Sequence, residues 1–431
     1  VLGSTFRNSL RHLVSKDSKP LILFVRLFGA GLFFLASIFI TNNFSIQLVS
    51  DFEFANSLLL LSGSLVILGT DISILQIAGR LKSQGRFHEL RAIFLKVIGL
   101  IFGMSFLILF FFYLLSFTTF YTYLNFTVTQ ILIYKVLGTA TFYGCLVFTA
   151  EAFRPLSGSL VTELYHGILK YALFFVGIFV IYNYKLYNFL IDIYLLSFIV
   201  VSIGIVIHFL IASSDLENST TYTNSDILKI SFPMTISSLS FFILLTADVI
   251  ILKILGTDAA VSIYAQPLKI IAVVIRIKVT LETSYSSDIA TLYFSEKWNT
   301  LRNTVRKVNR WIAVFCIPII LFFVVFARQV LSIFGDKYEA GVYAFYILLG
   351  GVFINVVAGC TGSYMNMTGK QKALRNILFV AALINVLLNI LLIPHYGMYG
   401  AAFASFVAVL FWNFSAVVYI WKKDKILMLL S

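Results

Sequence analysis

The chain has 431 residues, of which 60% are hydrophobic and only 12% charged, with a formal net charge of +13. Together with a mean hydropathy of +0.96, this excludes a soluble globular protein, where roughly a quarter of residues carry charge. The basic excess would point to nucleic acid in a soluble protein; here it gathers in alternate loops between apolar runs, as the positive-inside rule requires, and no nucleic-acid partner is expected.

Apolar runs of about 20 residues recur from end to end and read as membrane helices, not as the shorter alternating strands of a barrel. A basic tail (Arg7, Arg11, Lys16, Lys19) precedes Pro20, which suits a first helical turn. Val1 to Lys19 is polar and basic, so no cleavable signal peptide is expected. Five spans are expected near 21–40, 54–78, 92–116, 129–150 and 163–182, and a sixth ending near Ala212. The loop from Thr41 to Ser50 has no cation, whereas the next holds Arg80, Lys82, Arg86 and Arg91. The loop from Phe117 to Val128 is cation-free and rich in Phe and Tyr, like an interfacial belt. Arg154-Pro155 marks the exit of span 4. Six further spans are expected near 227–255, 260–291, 311–334, 341–366, 374–393 and 398–421. Lys297, Arg302, Arg306, Lys307 and Arg310 form a basic loop before span 9, and Lys422, Lys423 and Lys425 close the chain. The odd-numbered loops hold only Lys185, Arg328 and Lys337, so both termini are expected in the cytoplasm. Cys145, Cys316 and Cys360 all lie inside apolar runs and read as packing residues.

The two halves read as copies. Ser83 to Arg91 (SQGRFHELR) has a counterpart in Ser295 to Arg302 (SEKWNTLR), and Tyr184-Lys185-Leu186-Tyr187 has one in Tyr396-Gly397-Met398-Tyr399. Both pairs are separated by 212 residues (83 to 295, 184 to 396). An even number of spans per half relates the copies by an axis along the membrane normal, a plan in which transporters place the substrate path between lobes. The expected architecture is therefore an all-α integral membrane protein of about twelve helices. It has an N-terminal six-helix lobe over 1–212, a cytoplasmic linker over 213–226 and a C-terminal six-helix lobe over 227–431, with a pseudo-two-fold axis and a central cavity.

Two stretches carry a family resemblance. The first opens Thr246-Ala247-Asp248, turns at Gly256-Thr257-Asp258 and continues Val261-Ser262-Ile263-Tyr264-Ala265. The second runs from Gly369-Lys370-Gln371-Lys372 through Asn385, Asn389 and Ile393-Pro394 to Gly397-Met398-Tyr399-Gly400-Ala401-Ala402. In order and spacing they resemble the Wzx-type polysaccharide flippases of the multidrug/oligosaccharidyl-lipid/polysaccharide exporter superfamily, and the spans fit that family over nearly the whole chain. The resemblance implies a multi-pass protein of the bacterial inner membrane. Its cargo would be an undecaprenyl-diphosphate-linked oligosaccharide repeat unit for O-antigen or capsule, flipped by alternating access, with a glycan polymerase and glycosyltransferases as partners. The related lipid II flippases use an arginine in their first span, which draws attention to Arg26.

The chain has no enzyme signature: its five His are scattered without metal-ligand spacing and no glycine-rich phosphate loop is present, so no metal, cofactor or direct use of ATP is expected. Charges inside apolar spans are the better lead, because they are costly unless they face a cavity or a partner. On span 8, Lys269, Arg276, Thr280, Thr283 and Ser287 fall along one line at helical spacing, whereas Lys278 and Glu282 lie off it and four apart, in reach of one another as an ion pair. Arg276 has no acid within reach on its own helix and suits a diphosphate, since a guanidinium can bind two phosphate oxygens at once. Asp248 on span 7 lies at the depth of Lys269, which makes it either an ion-pair partner or a proton- or ion-coupling group. Pro233, Pro267 and Pro318 interrupt three helices of the second half and are hinge candidates. The runner-up reading is a secondary multidrug or cation antiporter of the same superfamily, whose cavity would be acidic where the mid-membrane charges here are mainly basic. A non-transporting scaffold of a glycan-assembly complex is the third.

Overall fold

The computed structural model describes residues 19–117 and 130–428. The basic tail at Arg7, Arg11 and Lys16 and nearly all of the aromatic loop after Phe117 lie outside the described residues. All regular structure among the described residues is helical, with eleven stretches long and apolar enough to cross a membrane. One of these, Gln371–Asp424, has 54 residues. A straight helix of that length would reach about 80 Å, far beyond a hydrocarbon core of about 30 Å. It is broken at Gly397, whose φ of 52° and ψ of −129° suit only glycine. Counting its two arms gives the twelve spans expected.

In chain order the helices are α1 (Lys19–Asn43), α2 (Ile46–Ile67), α3 (Thr70–Ser83), α4 (Leu90–Ser116), α5 (Gln130–Ser157), α6 (Ser159–Glu163), α7 (Lys170–Asn183) and α8 (Leu190–Ala212). They continue as α9 (Asn224–Leu255), α10 (Asp258–Phe294), α11 (Trp298–Val325), α12 (Ala327–Ser332), α13 (Val342–Val357), α14 (Thr361–Met367) and α15 (Gln371–Asp424). A π-helical turn, Leu164–Leu169, joins α6 to α7.

Several boundaries differ from the sequence expectation, each for a local reason. The loop placed over Thr41 to Ser50 is almost absent: α1 runs to Asn43, and α2 begins at Ile46, where Ser45 Oγ accepts the Leu48 N–H at 3.3 Å as a cap. Span 2 is not one helix but two, interrupted by Leu68 and Gly69 with φ of 54° and 67°. The basic stretch before span 9 is not a loop. It is the start of α11, because Leu301, Val305, Val308 and Ile312 repeat at helical spacing and are buried. Span 10 ends early, at Val357, and α14 follows as a separate short helix.

The chain forms two compact units, 1–44 with 55–239, and 45–54 with 240–431. The first unit is built around α5, against which α3, α4 and α8 pack. Its centre is aromatic: the Phe94 ring lies 4.0 Å from Phe209 and 5.5 Å from Phe148, centroid to centroid. The polar stretch after Ala212 is strapped to this unit. Arg91 donates to the Ser213 and Ser214 carbonyls, Lys96 donates to the Tyr222 carbonyl at 2.7 Å, and Glu89 accepts from Thr220 Oγ1 at 2.7 Å and the Thr221 N–H at 3.2 Å.

Packing in the second unit centres on α10, α13 and α15. Past Gly397, the face of α15 that carries Gly400, Ala401, Ala404, Ser405 and Ala408 is buried. Side chains this small let membrane helices approach closely, which is what the glycine- and alanine-rich motif supplies. Three pairs of positive-φ residues lie at nearly the same spacing as the matched stretches: Gly85 and Glu296 are 211 apart, Gly158 and Gly369 are 211 apart, and Lys185 and Gly397 are 212 apart.

Candidate functional site

Among the described residues, the second unit buries five charged side chains, Glu53, Asp248, Lys253, Lys278 and Glu282. The turn between α9 and α10 is short because Gly256 follows directly on Leu255, and Thr257 then caps α10 by accepting the Ala260 N–H at 3.2 Å. Lys253 reaches back under this turn. Its side chain is 1% exposed and is neutralised by Asp51 at 2.7 Å and by Asp258, with Ser50 Oγ at 3.0 Å. Two residues beyond Asp51 on α2, Glu53 forms an ion pair with Lys269, and Gln266 Oε1 accepts a further Lys269 proton at 3.2 Å. Lys269 thus pairs with Glu53 and not with Asp248 as its depth had suggested. Asp51, Glu53 and Lys253 were missed in the sequence because the acids fell at or beside a stretch read as loop. The rule that isolates Arg276, a charge within an apolar run, would have found them.

Asp248 sits in a different environment. It is 2% exposed and accepts hydrogen bonds from Tyr264 Oη at 2.7 Å, Ser405 Oγ at 2.5 Å, Asn385 Nδ2 at 3.3 Å and Asn389 Nδ2 at 3.4 Å. No cation pairs with it among the described residues. The two Asn, one helical turn apart on the first arm of α15, and Ser405 on the second arm converge on the carboxylate from either side of the Gly397 break. Asn389 Oδ1 is buried without a hydrogen-bond partner. A cavity of about 110 Å³ inside the unit is lined in part by Asp248, Ser405 and Asn355, with Leu244, Ile271 and Val352 among its apolar walls. A buried carboxylate ringed by neutral donors keeps its charge at high cost unless a proton or a small cation joins it. The arrangement is chemically suited to taking up and releasing one positive charge.

On α10 the two charged faces separate. Lys278 and Glu282 form an ion pair at 2.7 Å with side chains 7% and 11% exposed, on the face turned towards α11. Arg276 is exposed, lies at the middle of the 37-residue helix, and has no ion-pair partner among the described residues. Thr283 and Ser287, further along the same line, are exposed as well. The helix thus buries its apolar side and turns Arg276 away from the packed interior of its own unit.

In the first unit Arg26 bonds Glu163, and Glu163 also lies 3.7 Å from Arg154, which is held in turn by Glu151 at 2.8 Å. Arg26 is therefore a member of a four-residue network beside the π-helical turn, not a lone cation. The three prolines differ in their surroundings. Pro233 lies within α9 between Ser231 and Thr235, against which Gly69 packs so closely that a Cβ there would come within 2.6 Å of the Thr235 nitrogen. Ser73 and Ser231 hydroxyls meet at 2.7 Å across the same contact. The break in span 2 and the proline of α9 thus share one locus within the first unit. Pro267 is buried in α10, and Pro318 is exposed in α11.

Residues 233–391, which include α10, Asp248 and both Asn, match the MatE family model. No curated protein matches the sequence. The lipid II flippase MurJ in an inward closed conformation superposes with a TM-score of 0.70 at 14% identity, covering 94% of this chain and 88% of that one. An inward-facing multidrug resistance MATE transporter of the MOP superfamily gives 0.69 at 14% identity, covering 93% and 98%. The MATE multidrug transporter DinF-BH, in a complex, gives 0.64 at 16%, covering 96% and 95%. These proteins are transporters and a flippase. The chain has the fold of MOP-superfamily membrane transporters, with a MatE match over its central and later part.

Proposed function

We propose that the protein is a flippase that moves an undecaprenyl-diphosphate-linked oligosaccharide from the cytoplasmic to the outer leaflet of a bacterial inner membrane by alternating access, for O-antigen or capsule assembly. The observation that carries this reading is Arg276. Lys253, Lys269 and Lys278 each have an acid, whereas Arg276 stands exposed at the middle of α10 with none among the described residues. A diphosphate would supply the missing negative charge with two oxygens for one guanidinium. Lys269 exchanges Glu53 for the cargo as the transporter cycles, and Arg26, in the first unit, exchanges Glu163 in the same way. Asp248 supplies the coupling step, binding a proton or small cation in one state and releasing it in the other. The resemblance to Wzx-type flippases and the fold shared with a lipid II flippase support a lipid-linked glycan as cargo.

The MatE match and the buried acid at Asp248 favour a second reading, a multidrug or cation antiporter. Deleting the gene separates the two. The flippase reading expects loss of polymerised surface glycan, lipid-linked repeat units retained on the cytoplasmic face, and little change in drug susceptibility. Normal surface glycan with heightened sensitivity to cationic dyes would establish the antiporter and reject the flippase.

A further inference from the structure

The start of α11 carries a feature that transport of a glycan does not use. The inward face of this helix, including Leu301, Val305, Val308 and Ile312, is buried. Its outer face begins with Arg302, Asn303, Arg306, Lys307 and Arg310 and then turns apolar at Trp311, Val314 and Phe315, all exposed. Neighbours four apart form two ridges, Asn303–Lys307–Trp311 and Arg306–Arg310–Val314. The groove between them has a volume of about 500 Å³ and is lined by those six residues. From Arg306 to Val314 it runs about 12 Å along the helix axis. Trp311 is 42% and Val314 59% exposed, and the Trp311 ring stacks on Phe315 at 5.8 Å. Lys307 leans over the Tyr285 ring at 6.0 Å. No acid pairs with Arg306 or Lys307 among the described residues.

We propose that this groove binds the headgroup phosphate of an anionic phospholipid. The three cations at its upper end match a phosphate, Trp311 sits where an interfacial indole belongs, and Val314 and Phe315 offer the first acyl methylenes an apolar wall. A soluble anion would satisfy the upper half of the groove and leave the apolar half uncovered. A lipid covers both along one continuous line, and this gradient along a single helix face is what selects it. The positive-inside pattern places the site at the cytoplasmic leaflet. The proposal stands independently of the cargo.

The test uses Trp311 as reporter in the full chain, with Trp298→Phe, Trp412→Phe and Trp421→Phe removing the other indoles. The protein is reconstituted in phosphatidylcholine bilayers containing a small fraction of brominated phosphatidylglycerol or brominated phosphatidylcholine. Phosphatidylglycerol should quench Trp311 preferentially, and Arg306→Gln, Lys307→Gln and Arg310→Gln should each reduce the preference roughly fivefold. Equal quenching by the two lipids would overturn the proposal. So would an equal loss from Lys422→Gln with Lys423→Gln and Lys425→Gln, since a general cationic field would then be the cause. Displacement of the lipid by millimolar inorganic phosphate would assign the groove to a soluble anion and overturn it as well. Thermal unfolding of the otherwise unaltered chain gives a second measurement that does not depend on the Trp replacements. Phosphatidylglycerol should raise its midpoint, and should not do so once the three groove cations are replaced.

Discussion

Lys269 and Glu53 form an ion pair within the second unit, their side chains 12% and 5% exposed. The pair joins α10 to the first turns of α2, residues 216 apart in sequence. In so buried a place attraction and desolvation nearly cancel, so the pair adds little stability, yet stranding either member costs about 3–5 kcal/mol.

Lys269→Met alone and Glu53→Leu alone should therefore lower protein abundance and thermal stability, while the double replacement should recover both. If the pair also hands its lysine to the cargo, the double variant should be abundant but inactive. Abundance and surface glycan measured in the same strains read both quantities, and an abundant, fully active double variant would remove Lys269 from the cargo site.

Arg276→Ala should behave differently. The side chain is exposed and has no ionic partner among the described residues, so truncation should change stability by no more than about 0.5 kcal/mol. Loss of a charge-assisted contact to a diphosphate costs roughly 1.5–3 kcal/mol, about tenfold to a hundredfold in binding. Arg276→Lys should keep part of the activity, because charge remains while the two-oxygen geometry is lost. Flipping of a lipid-linked oligosaccharide in reconstituted vesicles measures this; wild-type rates for Arg276→Ala would reject the role.

Asp248→Asn preserves the size of the side chain, its oxygen can still accept from Ser405 and Tyr264, and the Asn385 and Asn389 amides can turn their oxygens to the new Nδ2, so the fold should persist. It removes the only charge of the cluster among the described residues, and transport should fall sharply. If a small cation joins Asp248, wild-type protein should be stabilised by it, about 2.7 kcal/mol at a hundredfold excess over the dissociation constant. Thermal unfolding in sodium against choline salts, and across pH for a proton, should show a dependence that Asp248→Asn lacks. An identical response from both proteins would dismiss Asp248 as the coupling group.

Membrane orientation is checked with cysteines at Asn43, Asn183, Gln84 and Ser219, all exposed positions. With both termini cytoplasmic, those at Asn43 and Asn183 should react with an impermeant thiol reagent in spheroplasts, and those at Gln84 and Ser219 should not. Labelling of Ser219 from outside would refute the expected topology.

Span number and many span ends were legible in the sequence, because a membrane helix is specified locally: about 20 apolar residues satisfy both the backbone and the lipid without help from elsewhere. The break at Gly397 could be inferred from length alone, and Lys278 with Glu282 from helical spacing. The breaks at Leu68 and Gly69 were hidden inside an apolar run, where hydropathy does not change. Which charges are neutralised was likewise beyond the sequence. Lys269 lies level with Asp248 on a neighbouring helix, yet its acid comes from α2, while Asp248 is ringed by Tyr264, Asn385, Asn389 and Ser405. Spacing along one helix fixes which side chains share a face, but which distant face they meet depends on how helices cross, and that is settled only when small residues, kinks and breaks pack together.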